Sequence, residues 1–324
     1  MTTASSINAP PIVFVQRGLA FYFPTVLVQA ARRCVSSQIH LISDVDPASF
    51  LPGDARARVA WVPSSTLDHA ADDFRRHYVH LSVNRPWLEQ LCFERWFMIR
   101  ELCRLQSLTS IIHLDSDVLV ESDVGRHLAH RTGQKVMFSR RMGPHVAYFR
   151  DITQLDNLCE DILSTYRSPE RLTPLRQLFA TVPAHGQARS ISDMFFFEQL
   201  ASTLGNDYGD TFQVVDGQFF DHCMGMVEGY RSRLGTKVVS HRGDSAYCRS
   251  LSTGERVRAL ALHFQGVTKI WMAWHADVGN LRDARRSLGL WCRGVISYAS
   301  RAHRYVIRKF TGLSRRLNTQ IKAR

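Results

Sequence analysis

The chain has 324 residues, 45% hydrophobic and 22% charged, and its 41 Lys and Arg against 29 Asp and Glu give a net charge of +12. This composition excludes a disordered, collagen-like or coiled-coil protein, and the length accommodates one large domain or two fused halves. Seven scattered cysteines without a C-x-x-C pair argue against a disulfide framework and a zinc ribbon, and the charge predicts an acidic partner.

Apolar periodicity predicts alternating strands and helices. The predicted strands cover residues 12–15, 38–42, 78–82, 110–114, 135–138, 146–149 and 257–264. The predicted helices cover residues 21–33, 86–105, 151–166 and 193–204, and Pro86 lies in a first turn, where proline is accepted. This alternation predicts an α/β fold with a mainly parallel, Rossmann-like sheet and flanking helices, which binds ligands beyond the carboxyl ends of its strands.

Two aspartates follow the strand predicted at residues 110–114. Asp115 and Asp117 are separated by one residue, so both side chains point to one side of the chain. Paired carboxylates suit Mg²⁺ or Mn²⁺, which bridges to substrate phosphates, so the motif predicts a diphosphate substrate. A D-x-D triplet arises about once by chance in a chain of this composition. Asp44-Val45-Asp46 is a second one, and a solvated turn remains an alternative for both.

A further motif lies at the end of the apolar run of residues 257–264. It places His263, Gly266, Lys269 and Trp271 at fixed offsets. An imidazole can complete a Mn²⁺ shell, a glycine lets the backbone approach a phosphate, and a lysine can neutralise that phosphate. These three functions fit one metal-bound diphosphate.

The Leu-Asp-Ser-Asp segment at residues 114–117, with the H-x-x-G-x-x-K-x-W string at 263–271, resembles glycosyltransferases of the GT-A fold, family 8 and related bacterial lipopolysaccharide and polysaccharide glycosyltransferases. The resemblance covers more than three quarters of the chain. The resemblance implies a GT-A domain at 11–280, with a nucleotide-sugar half at 11–140 and an acceptor half at 141–280, and residues 1–10 before it are expected to be a flexible N-terminus. It also implies metal-dependent transfer, with retention, from a UDP-linked donor to a glycan or lipid-linked acceptor.

The same resemblance implies roles for residues of both motifs. Asp115, Asp117 and His263 would hold Mn²⁺ or Mg²⁺ on the diphosphate of the donor. Lys269 would contact the phosphates and assist catalysis, and Gly266 would form the tight turn beside them. Charge drawn from the leaving nucleoside diphosphate in this way stabilises the transition state electrostatically.

Three more donor-site residues follow from the resemblance. Phe93-Glu94-Arg95 is similar to the family's aromatic-x-Arg and places Arg95 near the donor, although pairing with a helix neighbour remains an alternative. Asp44 occupies the position that contacts the base. Asp193 is the candidate catalytic contact to the donor sugar, with a helix N-cap as the alternative. The candidate catalytic bases, left unranked, are Asp193, Glu198, Asp216 and Asp221.

The chain departs from the family at two segments. Residues 144–148 are Pro-His-Val-Ala-Tyr where the family has Asn-x-Gly, and residues 191–194 are Ile-Ser-Asp-Met where it has Asp-Gln. These differences leave the donor sugar and the stereochemistry open. At the first segment, His145 is interpreted as a packed histidine rather than a sugar contact.

Other functions also remain open. A haloacid dehalogenase-type phosphatase sets a D-x-D after its first strand but needs a later G-D-x-x-x-D, and Gly243-Asp244 is followed by Cys248 where the second acid belongs. A sugar-phosphate nucleotidyltransferase would carry a Gly-rich basic loop where this chain has residues 16–19, Gln-Arg-Gly-Leu. The last alternative is a catalytically inactive nucleotide-sugar or nucleic-acid binding protein.

The segment at residues 281–324 is a basic tail. It holds 12 Lys and Arg residues and one acidic residue, so it carries +11 and residues 1–280 carry +1. At about 100° per residue, an apolar side is formed by Leu288, Cys292, Val295, Ala299, Val306, Phe310, Leu313 and Leu317. Arginines occupy the opposite side, which is typical of an amphipathic helix in an anionic membrane surface. A helix packed on the body is the alternative.

These features together predict a location. The apolar run at residues 11–15 is too short for a signal peptide or a membrane span, and the cysteine usage favours a reducing compartment. We therefore expect a cytoplasmic protein, peripheral at the inner face of the membrane, that works in polysaccharide assembly. No nucleic-acid partner is expected, because the basic excess is confined to the tail.

Overall fold

The structure is a computed structural model that describes residues 9–131, 133–181 and 190–276 and the isolated positions 292 and 296. The strands in these residues are β1 (Ile12–Gln16), β2 (Ile39–Ser43), β3 (Val59–Pro63), β4 (Ile111–Leu114), β5 (Val118–Val120), β6 (Val136–Ser139), β7 (Gly143–Phe149), β8 (Tyr208–Asp210), β9 (Gln218–Phe220), β10 (Ser232–Arg233), β11 (Thr236–Lys237), β12 (Val239–Arg242), β13 (Ser245–Arg249) and β14 (Arg256–His263). The helices are α1 (Phe23–Arg33), α2 (Gly53–Arg56), α3 (Asp72–His77), α4 (Pro86–Gln106), α5 (Val124–Ala129), α6 (Thr153–Arg167), α7 (Pro169–Ala180), α8 (Asp193–Leu204) and α9 (Met272–His275).

A seven-stranded sheet forms the first layer, in the order β3-β2-β1-β4-β7-β6-β8. Strands β3, β2, β1 and β4 are parallel, β7 is antiparallel to both β4 and β6, and β8 is parallel to β6. Helices flank this mostly parallel sheet, so the predicted α/β fold is confirmed. In such a sheet the carboxyl ends of the parallel strands share one edge.

Both faces of the seven-stranded sheet are covered by apolar side chains. Alternate residues of a strand point to opposite faces. Ile12 and Phe14 of β1 accordingly belong to one buried cluster with α1, whereas Val13 belongs to a second with α4, α6 and α8. The cluster with α1 also contains buried residues of β14, which joins the two sheets through one core.

The smaller sheet has the order β12-β13-β14-β5, and β9 pairs with β14. Its antiparallel register places His263 opposite Val118 and Leu262 opposite Leu119. Strand β5 begins just after the D-x-D motif, and β14 ends at the start of the H-x-x-G-x-x-K-x-W string. This pairing therefore brings the two motifs of the sequence side by side.

Several predicted elements differ from the structure. The strand predicted at residues 78–82 is wrong: the Leu81 carbonyl accepts a hydrogen bond from the Ile191 N–H (2.8 Å), which joins this segment to the residues before α8 rather than to a sheet. Strands β3, β5 and β8 to β13 and helices α2, α3, α5, α7 and α9 were not predicted. Most residues of the predicted N-terminal segment 1–10 lie outside the described residues, as does the helix predicted at 281–324 except for positions 292 and 296.

Candidate active site

The candidate site is built around the turn between β4 and β5. The Asp115 N–H donates to the His145 carbonyl on β7 (2.9 Å), and the Phe264 N–H donates to the Asp117 carbonyl (3.0 Å). Within the turn, the Val118 N–H donates to the Asp115 carbonyl (3.0 Å). Both aspartates are therefore fixed where the two sheets meet, at the carboxyl end of β4.

The Asp115 carboxylate is bonded to side chains of the seven-stranded sheet and its helices. Arg95 on α4 donates through Nη1 to Asp115 Oδ1 and through Nη2 to Asp193 Oδ2 (2.7 Å). His113 Nε2 lies 3.1 Å from the same Asp115 oxygen. Burial opposes ionisation of Asp115, but Arg95 and His113 outweigh it and hold the pKa of this carboxyl well below its usual range.

The Asp117 carboxylate is bonded to the late motif. Its Oδ1 lies 3.2 Å from His263 Nε2, and its Oδ2 lies 2.9 Å from Lys269 Nζ. Lys269 follows β14 in a 3₁₀ turn, Gly266–Trp271, and also contacts Tyr22, whose hydroxyl is 3.2 Å from Nζ and whose ring centroid is 4.7 Å away. Despite burial, Asp117 raises the pKa values of both Lys269 and His263 above their ordinary values.

The His263 ring is oriented by two neighbours. Its Nδ1 lies 2.7 Å from the His222 carbonyl, so this nitrogen carries the proton and Nε2 faces Asp117. The His145 ring stacks on it at 4.4 Å between centroids and 9° between planes. His145 is buried, as expected from the sequence, and burial together with His263 lowers the pKa of His145 to about 3.

Asp115, Asp117 and His263 form a group that fits a divalent cation. One ligand atom of each lies within 4.8 Å of the others, and we call these three residues the Asp-Asp-His cluster. Its two carboxylate oxygens suit Mg²⁺ and Mn²⁺, and its imidazole nitrogen favours a transition metal such as Mn²⁺. Both carboxylates are ionised, as ligands must be, and His263 Nε2 is directed at the same point.

The structure does not agree with the alternative roles considered for Arg95, pairing within its own helix, and for Asp193, a helix N-cap. Arg95 pairs with Asp115 and Asp193 rather than with a neighbour on its own helix, and its buried Nε has no hydrogen-bond partner among the described residues. Asp193 is the first residue of α8, and the N-cap is Ser192. Asp193 Oδ2 also accepts from Trp96 Nε1 (2.9 Å), so this carboxylate, with 3% of its residue surface exposed, anchors Arg95.

The other sequence-predicted residues are less closely associated with the cluster. Asp44 is exposed at the end of β2 and accepts from the Gly18 N–H (2.7 Å), on the sheet edge that also carries Asp115. Gly266 begins the 3₁₀ turn with φ +57°, a conformation that favours glycine, and a Cβ there would meet open space. The roles of both residues at a donor remain predictions.

The candidate catalytic bases fall into two groups. Glu198 and Asp216 are exposed, and Asp193 is engaged by Arg95 and Trp96. Asp221 is fully buried and both of its oxygens are occupied by Lys237 and by the His263 N–H, which removes it as a candidate base.

Three contacts of the site were not found from the sequence: Tyr22, His113 and His222. Tyr22 lies just before α1, in the loop that follows β1, and loops after parallel strands face the ligand edge, so its position was a usable signal. His113 lies inside an apolar strand, and His222 contributes a backbone carbonyl. Neither of these contacts has a local sequence pattern.

Comparison with known proteins gives matches only among solved structures, since no family model and no curated protein matches the sequence. Mouse xyloside xylosyltransferase 1 aligns with 65% of this chain and 87% of its own, at 12% identity and a TM-score of 0.40. The glycosyltransferase GlyE of Streptococcus pneumoniae aligns with 63% of this chain but 45% of its own, at 14% identity and a TM-score of 0.36. A glycosyltransferase involved in glycosylation of the major capsid of PBCV-1 aligns with 62% of this chain and 81% of its own, at 12% identity and a TM-score of 0.32.

Proposed function

We propose that this protein is a metal-dependent glycosyltransferase that moves a sugar from a nucleotide-sugar donor to a glycan or lipid-linked acceptor. The observation that carries the proposal is the convergence of Asp115, Asp117 and His263 at the ligand edge of a mostly parallel sheet, with Lys269 on Asp117. A cation site beside a lysine suits a diphosphate, and the diphosphate of a nucleotide-sugar is a leaving group that needs charge neutralisation.

Each residue of the site would have a separate role in this reaction. Asp115, Asp117 and His263 would hold Mn²⁺ or Mg²⁺, which supplies Lewis-acid stabilisation of the departing diphosphate when bound. Metal binding would engage Asp117, so Lys269 would turn from this carboxylate towards a phosphate while Tyr22 keeps its Nζ nearby. Gly266 would leave room for the same phosphate to approach the backbone.

Arg95 and Asp193 would act on the Asp115 side of the cluster, away from Lys269. Arg95 holds Asp115 in place, and Asp193 in turn holds Arg95. The proposed contact of Asp193 with the donor sugar requires the carboxylate oxygen that does not accept from Arg95 and Trp96. Asp44, exposed at the end of β2, would face the base of the nucleotide, for which we propose uridine.

An open cleft of about 680 Å³ next to His222 is the proposed acceptor site. Phe212 and Tyr230 line it, Arg141 lies over the Phe212 ring, and Arg141 pairs with Glu228 at 3.1 Å. Aromatic walls with a few polar groups are usual in ligand clefts of this size. We expect Phe212→Ala to raise the KM of a glycoside acceptor and to leave donor hydrolysis unchanged; an unchanged KM would remove the cleft from the proposal.

A donor screen tests the proposed function directly. UDP-, GDP-, CMP- and dTDP-sugars are incubated with the full chain and Mn²⁺, and release of nucleoside diphosphate, or of CMP from CMP-sugars, is measured with and without EDTA. We expect release from UDP-sugars that EDTA abolishes. Turnover that is equally fast in EDTA would contradict the metal-dependent mechanism, and no turnover with any donor would contradict the transferase.

Retention of anomeric configuration is proposed from the family resemblance. NMR spectra of the product, recorded before mutarotation, compare its anomer with that of the donor. A retained anomer supports attack on the face that the leaving group occupied. An inverted anomer would instead require a base, for which Glu198 and Asp216 are the exposed candidates.

We propose that the basic tail, residues 281–324, brings the enzyme to the inner face of the membrane for polysaccharide assembly. None of the helices among the described residues is long and apolar enough to cross a membrane. Each basic side chain near an anionic surface contributes about 1 kcal/mol. Co-sedimentation with phosphatidylserine vesicles at moderate salt should therefore require the tail, and binding that survives truncation after Asn280 would refute it.

A further inference from the structure

A fully buried ion pair adjoins the metal-ligand candidate His263. Lys237 Nζ lies 2.5 Å from Asp221 Oδ1, and neither side chain is exposed to solvent. Lys237 Nζ also donates to the Cys223 carbonyl (2.7 Å). The second oxygen of Asp221 accepts from the His263 backbone N–H (3.1 Å). The pair is therefore bonded directly to the backbone of one member of the Asp-Asp-His cluster.

The segment that contains Asp221 makes three further hydrogen bonds to β14, two of them to His263 itself. The Asp221 N–H donates to the Ala261 carbonyl (2.9 Å), and the Met224 N–H donates to the His263 carbonyl (2.8 Å). The His222 carbonyl lies 2.7 Å from His263 Nδ1. Residues 221–224 thus fix the backbone and the ring of His263 together, and Lys237 fastens this segment through Asp221 and Cys223.

Stability does not account for an ion pair in this position. Removing two charges from water is costly, and apolar side chains of similar volume are often as stabilising or more so. What an apolar pair lacks is an acceptor for the His263 N–H. Groups that orient a metal-ligating histidine through hydrogen bonds typically change metal affinity by about 10- to 100-fold when removed.

We infer that Asp221 and Lys237 are positioning residues that hold His263 in the orientation needed for metal coordination. This inference rests on the proposed function, since it requires that the Asp-Asp-His cluster binds a divalent cation. Asp221 fixes the position of the His263 backbone by accepting from its N–H, and Lys237 fixes the position of the Asp221 carboxylate. The ring proton on Nδ1 is then directed to the His222 carbonyl, which leaves Nε2 for the metal.

The inference is tested by Mn²⁺ binding to the full chain without substrate, with free Mn²⁺ measured by electron paramagnetic resonance. The first double variant, Asp221→Leu with Lys237→Met, removes both charges and the acceptor of the His263 N–H. We expect its thermal stability to stay close to that of the natural chain and its Kd for Mn²⁺ to rise about tenfold or more.

A second double variant, Asp221→Asn with Lys237→Met, removes the charges but keeps an amide oxygen that can accept from the His263 N–H. We expect its Kd for Mn²⁺ to lie between those of the natural chain and the first double variant, because the acceptor remains but Lys237 no longer holds it. Lys135→Met with Asp207→Asn removes a half-exposed pair (2.8 Å) between the residue before β6 and the turn before β8, and serves as the matched control with no change in Mn²⁺ binding.

The outcomes separate this inference from the proposed function. Absence of Mn²⁺ binding by the natural chain, or binding that Asp117→Ala does not reduce, would overturn the proposed metal site and this inference with it. Binding that Asp117→Ala abolishes, while the Leu and Met variant binds as tightly as the natural chain, would overturn this inference alone. A stably folded Asn and Met variant that binds Mn²⁺ no more tightly than the Leu and Met variant would also overturn it. If the Leu and Met variant fails to fold, the Asn and Met variant decides, and Mn²⁺ binding as tight as that of the natural chain would then overturn this inference.

Discussion

Asp115 and Asp117 stand two residues apart, yet their surroundings differ. Asp115 is held by Arg95, a permanent cation that is buried between two carboxylates. Asp117 is held by His263, at the end of β14 in the smaller sheet, and by Lys269, in the turn that follows β14. The lysine side chain is flexible, and the histidine can gain or lose a proton. In the proposed function the Asp115 side is therefore a fixed support, whereas the contacts of the Asp117 side would be exchanged on binding of a cation and a diphosphate.

Asp117→Ala gives the largest expected effect, because it removes a proposed metal ligand from the Asp117 side of the cluster. We expect loss of Mn²⁺ binding and a fall in turnover of about 1,000-fold or more, with little change in stability. Asp46→Ala is the matched control, since Asp46 belongs to the other D-x-D triplet and caps a 3₁₀ turn through the Ala48 N–H. Equal turnover by the Asp117 variant and the natural chain would contradict the metal assignment.

Arg95→Met tests the fixed side of the cluster. The change leaves the Asp193 carboxylate, 4% exposed, without its cation, and we expect the free energy of unfolding to fall by about 3 kcal/mol in urea denaturation. Arg100→Met on the same helix removes a more exposed pair with Glu160 (2.7 Å) and should cost at most about 1 kcal/mol. Equal losses in the two variants would show that Arg95 is not a buried support.

Lys269→Ala should lower kcat by about 100-fold, since it removes a cation that would stabilise the leaving diphosphate. Mn²⁺ affinity should not fall, because Lys269 competes with the metal for Asp117 in the free protein. Steady-state kinetics and a Mn²⁺ titration separate the two effects. Lys269→Arg should recover part of kcat, and a variant that loses Mn²⁺ binding as well would contradict the exchange of Asp117 contacts.

Tyr22→Phe gives the smallest expected effect. It removes the hydroxyl 3.2 Å from Lys269 Nζ but keeps the ring beneath the ammonium group. We expect kcat to fall less than tenfold, and Tyr22→Ala, which also removes the cation–π contact, to have the larger effect. Identical kcat values in both variants and the natural chain would show that Tyr22 does not hold Lys269.

The sequence predicted the regular elements where the pattern was long and capped. The helix predicted at residues 193–204 coincides with α8, and that predicted at 86–105 differs from α4 by one residue. Strands such as β12, whose residues are mostly exposed, carry no apolar alternation and were missed. The segment at residues 78–82 has strand-forming residues but bonds to Ile191, a tertiary contact that propensity does not reveal.

The site was predictable where chemistry requires particular side chains. The two aspartates, His263 and Lys269 were predicted because carboxylates, an imidazole and a lysine at strand ends suit a cation and a diphosphate, and the structure brings these four side chains together. The supporting contacts could not be predicted, because the His222 carbonyl and the pairing of Asp221 with Lys237 depend on segments that folding brings together. The spacing of residues in the sequence indicates which functional side chains lie together along one strand. The residues that hold those side chains in place come from other segments of the chain.

The antiparallel pairing of β5 with β14 also has a consequence for folding kinetics. Val118 and His263 are distant in the chain, so closing the loop between them costs more entropy than any local contact of the first sheet. We expect the β1 to β4 unit to become ordered before the cluster exists. The cation could then bind only after the last step of folding, the pairing of β5 with β14. Saturating Mn²⁺ would therefore slow unfolding that begins with the separation of these two strands.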